Sequence, residues 1–158
     1  MVKVMEPSEE KKRISIGIVD DHPIFRDGLR KLLSQQEDFE VVAEAGDGIE
    51  ALEIVQKVEP DVLLLNLRMP KLDGLGTLQR LQTQKTNTKV ILLTASDDRA
   101  DFVQAMKFGV SGIVLKQSAP QLLIEAIRKV HGGEIWLDSG VGARELSPAL
   151  DLHFRFEL

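Results

Sequence analysis

Residues 61–66 read Asp61-Val62-Leu63-Leu64-Leu65-Asn66, an unbroken aliphatic run closed by a carboxylate at one end and an amide at the other. Because the apolar side chains do not alternate with polar ones, the run suits a strand covered on both faces, as in a parallel sheet between helices. Four more short apolar runs recur along the chain, at residues 14–19, 40–45, 89–93 and 112–115.

The segments between these runs have helical spacing. Phe25, Leu29, Leu32 and Leu33 mark one helix, and Ala51, Leu52 and Val55 a second, opened by Asp47 with Glu50 three residues later in a capping-box pattern. Leu75, Leu78 and Leu81 mark a third, and Phe102, Val103 and Met106 a fourth, which Gly109 closes as a left-handed cap. The fifth has Ser118 as N-cap, Pro120 just inside, Gln121 completing the box and an apolar stripe from Leu122 to Val130 before Gly132-Gly133. Five strands alternating with five helices predict an α/β fold, a doubly wound (βα)5 parallel sheet. Such sheets bind ligands beyond the carboxyl ends of their strands, where strand order reverses. Asp20, Asn66, Thr94 and Lys116 all fall at such ends.

Composition narrows the function classes. The 158 residues suffice for one ordinary domain with short ends. No apolar run approaches the ~20 residues of a membrane-spanning helix, so no membrane partner is expected. The first residues combine Glu9-Glu10 with Lys11-Lys12-Arg13 and hold no stretch of signal-peptide length. Residues 1–12 are expected to be a flexible end on a cytoplasmic protein. The chain has no cysteine, which excludes disulfides, thiolate metal sites and cysteine nucleophiles. A formal charge of −5 argues against nucleic acid binding by this segment itself. Residues 134–158 differ in character, with Trp136, Pro148 and the ending Leu152-His153-Phe154-Arg155-Phe156-Glu157-Leu158. They are too short for a helical DNA-binding domain and read as a linker stub, the start of a truncated domain, or a helix that docks on a partner.

Asp20-Asp21 supplies two adjacent carboxylates in a loop, the hard oxygen ligands that Mg²⁺ prefers. Alone, an acidic pair before Pro23 is more simply a loop with helix-capping duty. Together with Leu67-Arg68-Met69-Pro70 and Asp73-Gly74, Thr94-Ala95-Ser96, and Gly112-Ile113-Val114-Leu115-Lys116, it resembles the receiver domain of two-component response regulators. The nearest likeness is to the NarL/FixJ (LuxR-type) subfamily, whose members carry a helix-turn-helix output.

The resemblance implies a flavodoxin-like sheet of strand order 2-1-3-4-5, with the receiver domain at residues 13–133. It implies that Asp20, Asp21, the position of Asn66 and the backbone carbonyl of Arg68 hold Mg²⁺, that Lys116 contacts phosphoryl oxygens, and that Thr94 reports phosphorylation. It also implies a sensor histidine kinase as partner, homodimerisation through helix faces between which the sequence does not choose, and DNA binding only through a C-terminal domain absent from this chain.

The family's phosphoacceptor is an aspartate, and this chain has Asn66. An amide oxygen is a weak nucleophile and its NH₂ only donates, so phosphate acceptance is expected to be blocked and Mg²⁺ binding weakened. Asn66 fits an engineered block in a competent receiver, which retention of the other site residues favours, or a natural pseudo-receiver acting as a phosphate-independent interaction module. Two further departures are Ile113, where many relatives place an aromatic, and Gln117, where many have proline.

The chain is not expected to be an enzyme. A Mg²⁺-dependent phosphatase of the same topology needs Asp-x-Asp at the strand end that here reads Asn66-Leu67-Arg68, and a flavin-binding domain needs a Ser/Thr/Gly-rich loop where Asp20-Asp21 stands. His22 reads as a solvated loop residue, His131 as a helix-end charge and Trp136 as packing over the last helix.

Overall fold

The computed structural model describes residues 2–5, 12–95, 98–118 and 120–138. In chain order these form β1 (Lys3–Val4), β2 (Ile14–Val19), α1 (Pro23–Ser34), β3 (Phe39–Ala45), α2 (Gly48–Val58), β4 (Val62–Asn66), α3 (Gly74–Gln84), β5 (Lys89–Thr94), α4 (Arg99–Lys107), β6 (Gly112–Leu115), α5 (Pro120–His131) and β7 (Trp136–Leu137). The described strands make one sheet of order β1-β3-β2-β4-β5-β6-β7. Its five central strands are parallel, and counted by themselves along the chain they stand in the expected order 2-1-3-4-5.

The aliphatic run at residues 62–66 is the middle of the five parallel strands. All five residues of β4 are buried, and successive side chains go to opposite faces. Leu63 and Leu65 pack with Ile54, Leu78 and Phe102 under α2, α3 and α4. Val62 and Leu64 pack with Leu33, Leu123 and Ile127 under α1 and α5. Each fully buried leucine contributes about 2 kcal/mol of apolar transfer.

Helix ends follow local chemistry. Asp47 accepts from the Glu50 amide at 2.8 Å, and Glu50 Oε1 accepts from Gly46 N at 3.1 Å, one residue earlier than a standard capping box. Asp73 and Asp98 cap α3 and α4 in the same way, accepting from Gly76 N and Ala100 N. Gly109 takes the expected left-handed conformation after α4, at φ 82°.

Two expectations need correction. Residues 1–12 are not wholly a free end, because Lys3 and Val4 pair antiparallel with Glu44 and Ala43 at the outer edge of β3. The domain does not stop at residue 133: Trp136 and Leu137 pair in parallel with Gly112 and Ile113. The run Ile135-Trp136-Leu137 was too short to show a strand by periodicity. The Ser118 hydroxyl donates to Asp138 Oδ2. Residues 139–158, and Ser96 of the threonine motif, lie outside the described residues.

Candidate functional site

Strand order reverses at β2, which has β3 on one side and β4 on the other. The parallel register levels the strand ends there. Val19 stands opposite Leu65, Asn66 opposite Leu93 and Thr94 opposite Leu115. Asp20, Asn66, Thr94 and Lys116 therefore reach one rim. His22, Asn66, Arg68, Thr94, Ala95 and Lys116 line a cleft of about 330 Å³ there.

Three of these polar residues are almost wholly out of water: Asp20 is 1%, Asn66 4% and Thr94 1% exposed. Buried polar groups need partners, and a buried charge needs an opposite one. Lys116 Nζ donates to Asp20 Oδ2 at 2.7 Å. The other Asp20 oxygen accepts from the His22 amide at 2.8 Å and lies 3.0 Å from the His22 ring Nδ1. Arg26 donates to the Asp20 carbonyl, tying α1 to the end of β2. The backbone amide of Lys116 donates to the Thr94 carbonyl at 2.8 Å.

Asn66 Nδ2 donates to Asp21 Oδ1 at 3.1 Å and to the carbonyl of Arg68 at 2.8 Å. Gly74 makes this end of β4 possible, since a Cβ there would lie 2.6 Å from the Asn66 carbonyl. The Arg68 side chain points away and pairs with Asp101 on α4 at 2.6 Å.

The oxygens of Asp20 and Asp21 and the Arg68 carbonyl form a hard donor set of the type Mg²⁺ takes. One ligand atom each from Asp20, Asp21 and His22 lies within 4.8 Å of the others. The residues fit the ion once the Asn66 amide turns to offer Oδ1 in place of its NH₂. Asp20, Asp21, Asn66 and the Arg68 carbonyl would then hold it.

Two neighbours stand closer to the site than the sequence reading placed them. His22 is 66% exposed yet lies 3.0 Å from Asp20 and 3.3 Å from Asp21, so it belongs to the acidic cluster; its place two residues after Asp20 was the available signal. Phe25 lies under Lys116, with Nζ 4.3 Å from the ring centroid. That contact spans most of the chain and had no sequence signal.

Residues 16–128 match the family model described as the response regulator receiver domain. The chain belongs to this family. Its receiver domain is 36% identical over 133 residues to the transcriptional regulatory protein DegU of Brevibacillus brevis, covering 84% of this chain and 56% of that one. It is 42% identical over 119 residues to the nitrate/nitrite response regulator protein NarP of Escherichia coli, covering 75% of this chain and 55% of that one. The chain thus spans little more than half the length of these relatives. Among solved structures, the signal receiver domain of the putative response regulator NarL from Mycobacterium tuberculosis superposes with a TM-score of 0.76 at 35% identity, over 78% of this chain and all of that one. RcsB in a structure of two dimers bound to two parallel DNAs gives 0.77 at 31% identity, over 85% of this chain and 68% of that one. Among the described residues no helix is long and apolar enough to cross a membrane.

Proposed function

We propose that this receiver domain is a signalling switch held in its unphosphorylated state, with Asn66 standing at the phosphoacceptor position. The observation that carries this reading is the Asn66 amide itself: it sits at the carboxyl end of β4 with its NH₂ donating to Asp21 Oδ1 and the Arg68 carbonyl. In that position the reaction needs a nucleophilic oxyanion, and an amide supplies no negative charge and only a weakly nucleophilic oxygen.

Phosphoryl transfer depends mainly on positioning and charge neutralisation. In this reading Lys116 contacts the phosphoryl oxygens and Thr94 donates its hydroxyl to them. When bound, Mg²⁺ would neutralise charge between the acidic pair and the incoming group. With an amide at residue 66 the ion loses one anionic ligand, so its affinity falls. With no phosphoryl group to stabilise the active arrangement, the switch stays at its intrinsic population.

By analogy with the relatives named as transcriptional regulators, the partner upstream is a sensor histidine kinase. The output downstream is DNA control through a further domain, with two copies of the receiver associating. The pairing of both Asp20 oxygens by His22 and Lys116, and of Asp21 Oδ1 by the Asn66 amide, also favours a second reading, in which the receiver acts as a phosphate-independent interaction module.

Incubation with Mg²⁺ and a small phosphodonor, followed by intact-mass measurement, separates the Asn66 form from Asn66→Asp. One phosphoryl adduct is expected on the Asp form alone. An adduct on the Asn form would falsify this account of the site.

A further inference from the structure

Glu44 is a charge almost wholly out of water on β3, with its side chain 6% exposed. A buried carboxylate needs opposite charge, and two guanidiniums one turn apart on α1 supply it. Arg30 Nη1 donates to Glu44 Oε2 at 3.0 Å, and Arg26 Nε lies 3.6 Å from Glu44 Oε1. Beyond Glu44 the two arginines diverge. Arg30 turns its other nitrogen to Asp27 on its own helix. Arg26 extends Nη1 to the strand ends, donating to the Asp20 carbonyl at 2.5 Å and to the Ala45 carbonyl at 3.4 Å.

These contacts reach the acidic loop through its backbone. Asp20 N donates to the Ala45 carbonyl at 3.1 Å, so the peptide before Asp20 is anchored on β3. Arg26 anchors the peptide after it. A peptide unit is planar and carries the Cα atoms on either side of it. A donor that fixes the Asp20 carbonyl therefore sets the direction in which both Asp20 and Asp21 leave the chain, and the two carboxylates take their aim from one plane. A guanidinium suits this task because its donors keep fixed directions within a rigid fork. With Nε held against Glu44, the direction of Nη1 is set as well. A lysine ammonium approaches either Glu44 or the carbonyls, and has no fork to hold both.

We propose that Arg26, oriented by Glu44, is a positioning residue that aims the Asp20 and Asp21 carboxylates at the rim of the sheet. It acts through the loop's backbone and not on the carboxylate oxygens themselves. Its role in ion affinity rests on the reading of Asp20 and Asp21 as Mg²⁺ ligands; its role in loop geometry does not.

Arg26→Lys is compared with Arg30→Lys, which weakens the support of the same carboxylate without touching the loop. Amide hydrogen exchange is followed by NMR in the full chain, with Asn66 in place and no divalent ion added. The reporters are the amides of Asp20 and His22, which donate to the Ala45 carbonyl and to Asp20 Oδ1. The reference amides are Leu63 and Leu64, in a strand paired on both sides. In Arg26→Lys the reporters are expected to exchange about tenfold faster relative to the reference, the loss of one strong hydrogen bond at a local opening. In Arg30→Lys the ratio should stay at the parent value, and Glu44→Gln should shift it in the same direction as Arg26→Lys. An unchanged ratio in Arg26→Lys overturns the proposal, because Arg26 then only stabilises the fold as a whole. An equal shift in Arg30→Lys overturns it too. In the Asn66→Asp background, calorimetric titration with Mg²⁺ should give an affinity about tenfold lower for Arg26→Lys and unchanged for Arg30→Lys. Equal affinities in these two variants overturn the proposal. Absence of Mg²⁺ binding to the Asn66→Asp parent overturns the ligand reading alone, and the exchange ratio still decides the role of Arg26.

Discussion

Lys116 Nζ donates to Asp20 Oδ2 at 2.7 Å, joining the ends of β6 and β2 across the sheet. Asp20 is 1% exposed, whereas the Lys116 side chain is 16% exposed. The carboxylate therefore loses more than the ammonium if the pair is broken. Lys116→Met leaves a buried charge supported only by His22 and backbone groups, and should cost about 3 kcal/mol. The melting temperature should fall by on the order of 10 °C. The double variant Asp20→Asn, Lys116→Met should recover most of the loss. Unfolding curves for the three variants check this, and a double variant weaker than the single one would contradict it.

The amide at residue 66 relieves repulsion that a third carboxylate would add beside Asp20 and Asp21. Without Mg²⁺, the Asn66 form should melt at or above its Asn66→Asp counterpart. Millimolar Mg²⁺ should raise the melting temperature of the Asp form and leave the Asn form nearly unmoved. Thermal scans of both forms with and without the ion give the answer.

Two glycines at the start of α3 should respond differently to alanine. At Gly74 the new Cβ would lie 2.6 Å from the Asn66 carbonyl and 2.9 Å from Leu67 Cα, and the backbone there cannot yield cheaply. At Gly76 it would lie 2.7 Å from the tip of Leu72, a flexible side chain. Gly74→Ala should cost about 3 kcal/mol by overpacking. Gly76→Ala should stay within about 1 kcal/mol of the parent, because removing a helix glycine offsets the adjustment. Denaturant midpoints separate the two.

Asp38 and Arg128 form a two-pronged pair between the α1–β3 turn and α5, at 2.9 and 3.0 Å. Hydrogen bonding from Arg128 holds the Asp38 carboxyl below the usual carboxylate range. A group whose folded pKa is depressed adds stability above its unfolded value and loses it as the pH falls through the folded one. Both side chains are nearly half exposed, so the pair contributes only about 0.5 kcal/mol. Asp38→Asn should lower stability by that amount near neutrality and by nothing in strong acid, below both pKa values. Urea titrations across that range test the sign.

The central architecture was legible because it rests on local pattern. The continuous run at β4 reported burial on two faces, and the helix stripes with Asp47, Gly109 and Gly132-Gly133 marked the connections. Asp20, Asn66, Thr94 and Lys116 could be gathered because each ends a strand, and parallel strands bring their ends to one rim. What escaped depends on pairing between distant segments. Lys3 and Val4 are too few to show periodicity and become a strand only against β3. Phe25 under Lys116 and Arg26 on the Asp20 carbonyl follow from how α1 lies over the sheet. The orientation of the Asn66 amide was hidden for the same reason, since it depends on where Asp21 and the Arg68 carbonyl settle.

Asp138 accepts from the Leu115 amide and the Ser118 hydroxyl, at the point where β6 hands over to Lys116. A boundary drawn at residue 133 would sever this clasp and strip β6 of its outer neighbour. The loop that presents the site's ammonium would then be secured from one side only. Any shortened form meant to report on the acidic pocket should therefore extend at least through residue 138, or it will measure a loosened lysine in place of the native one.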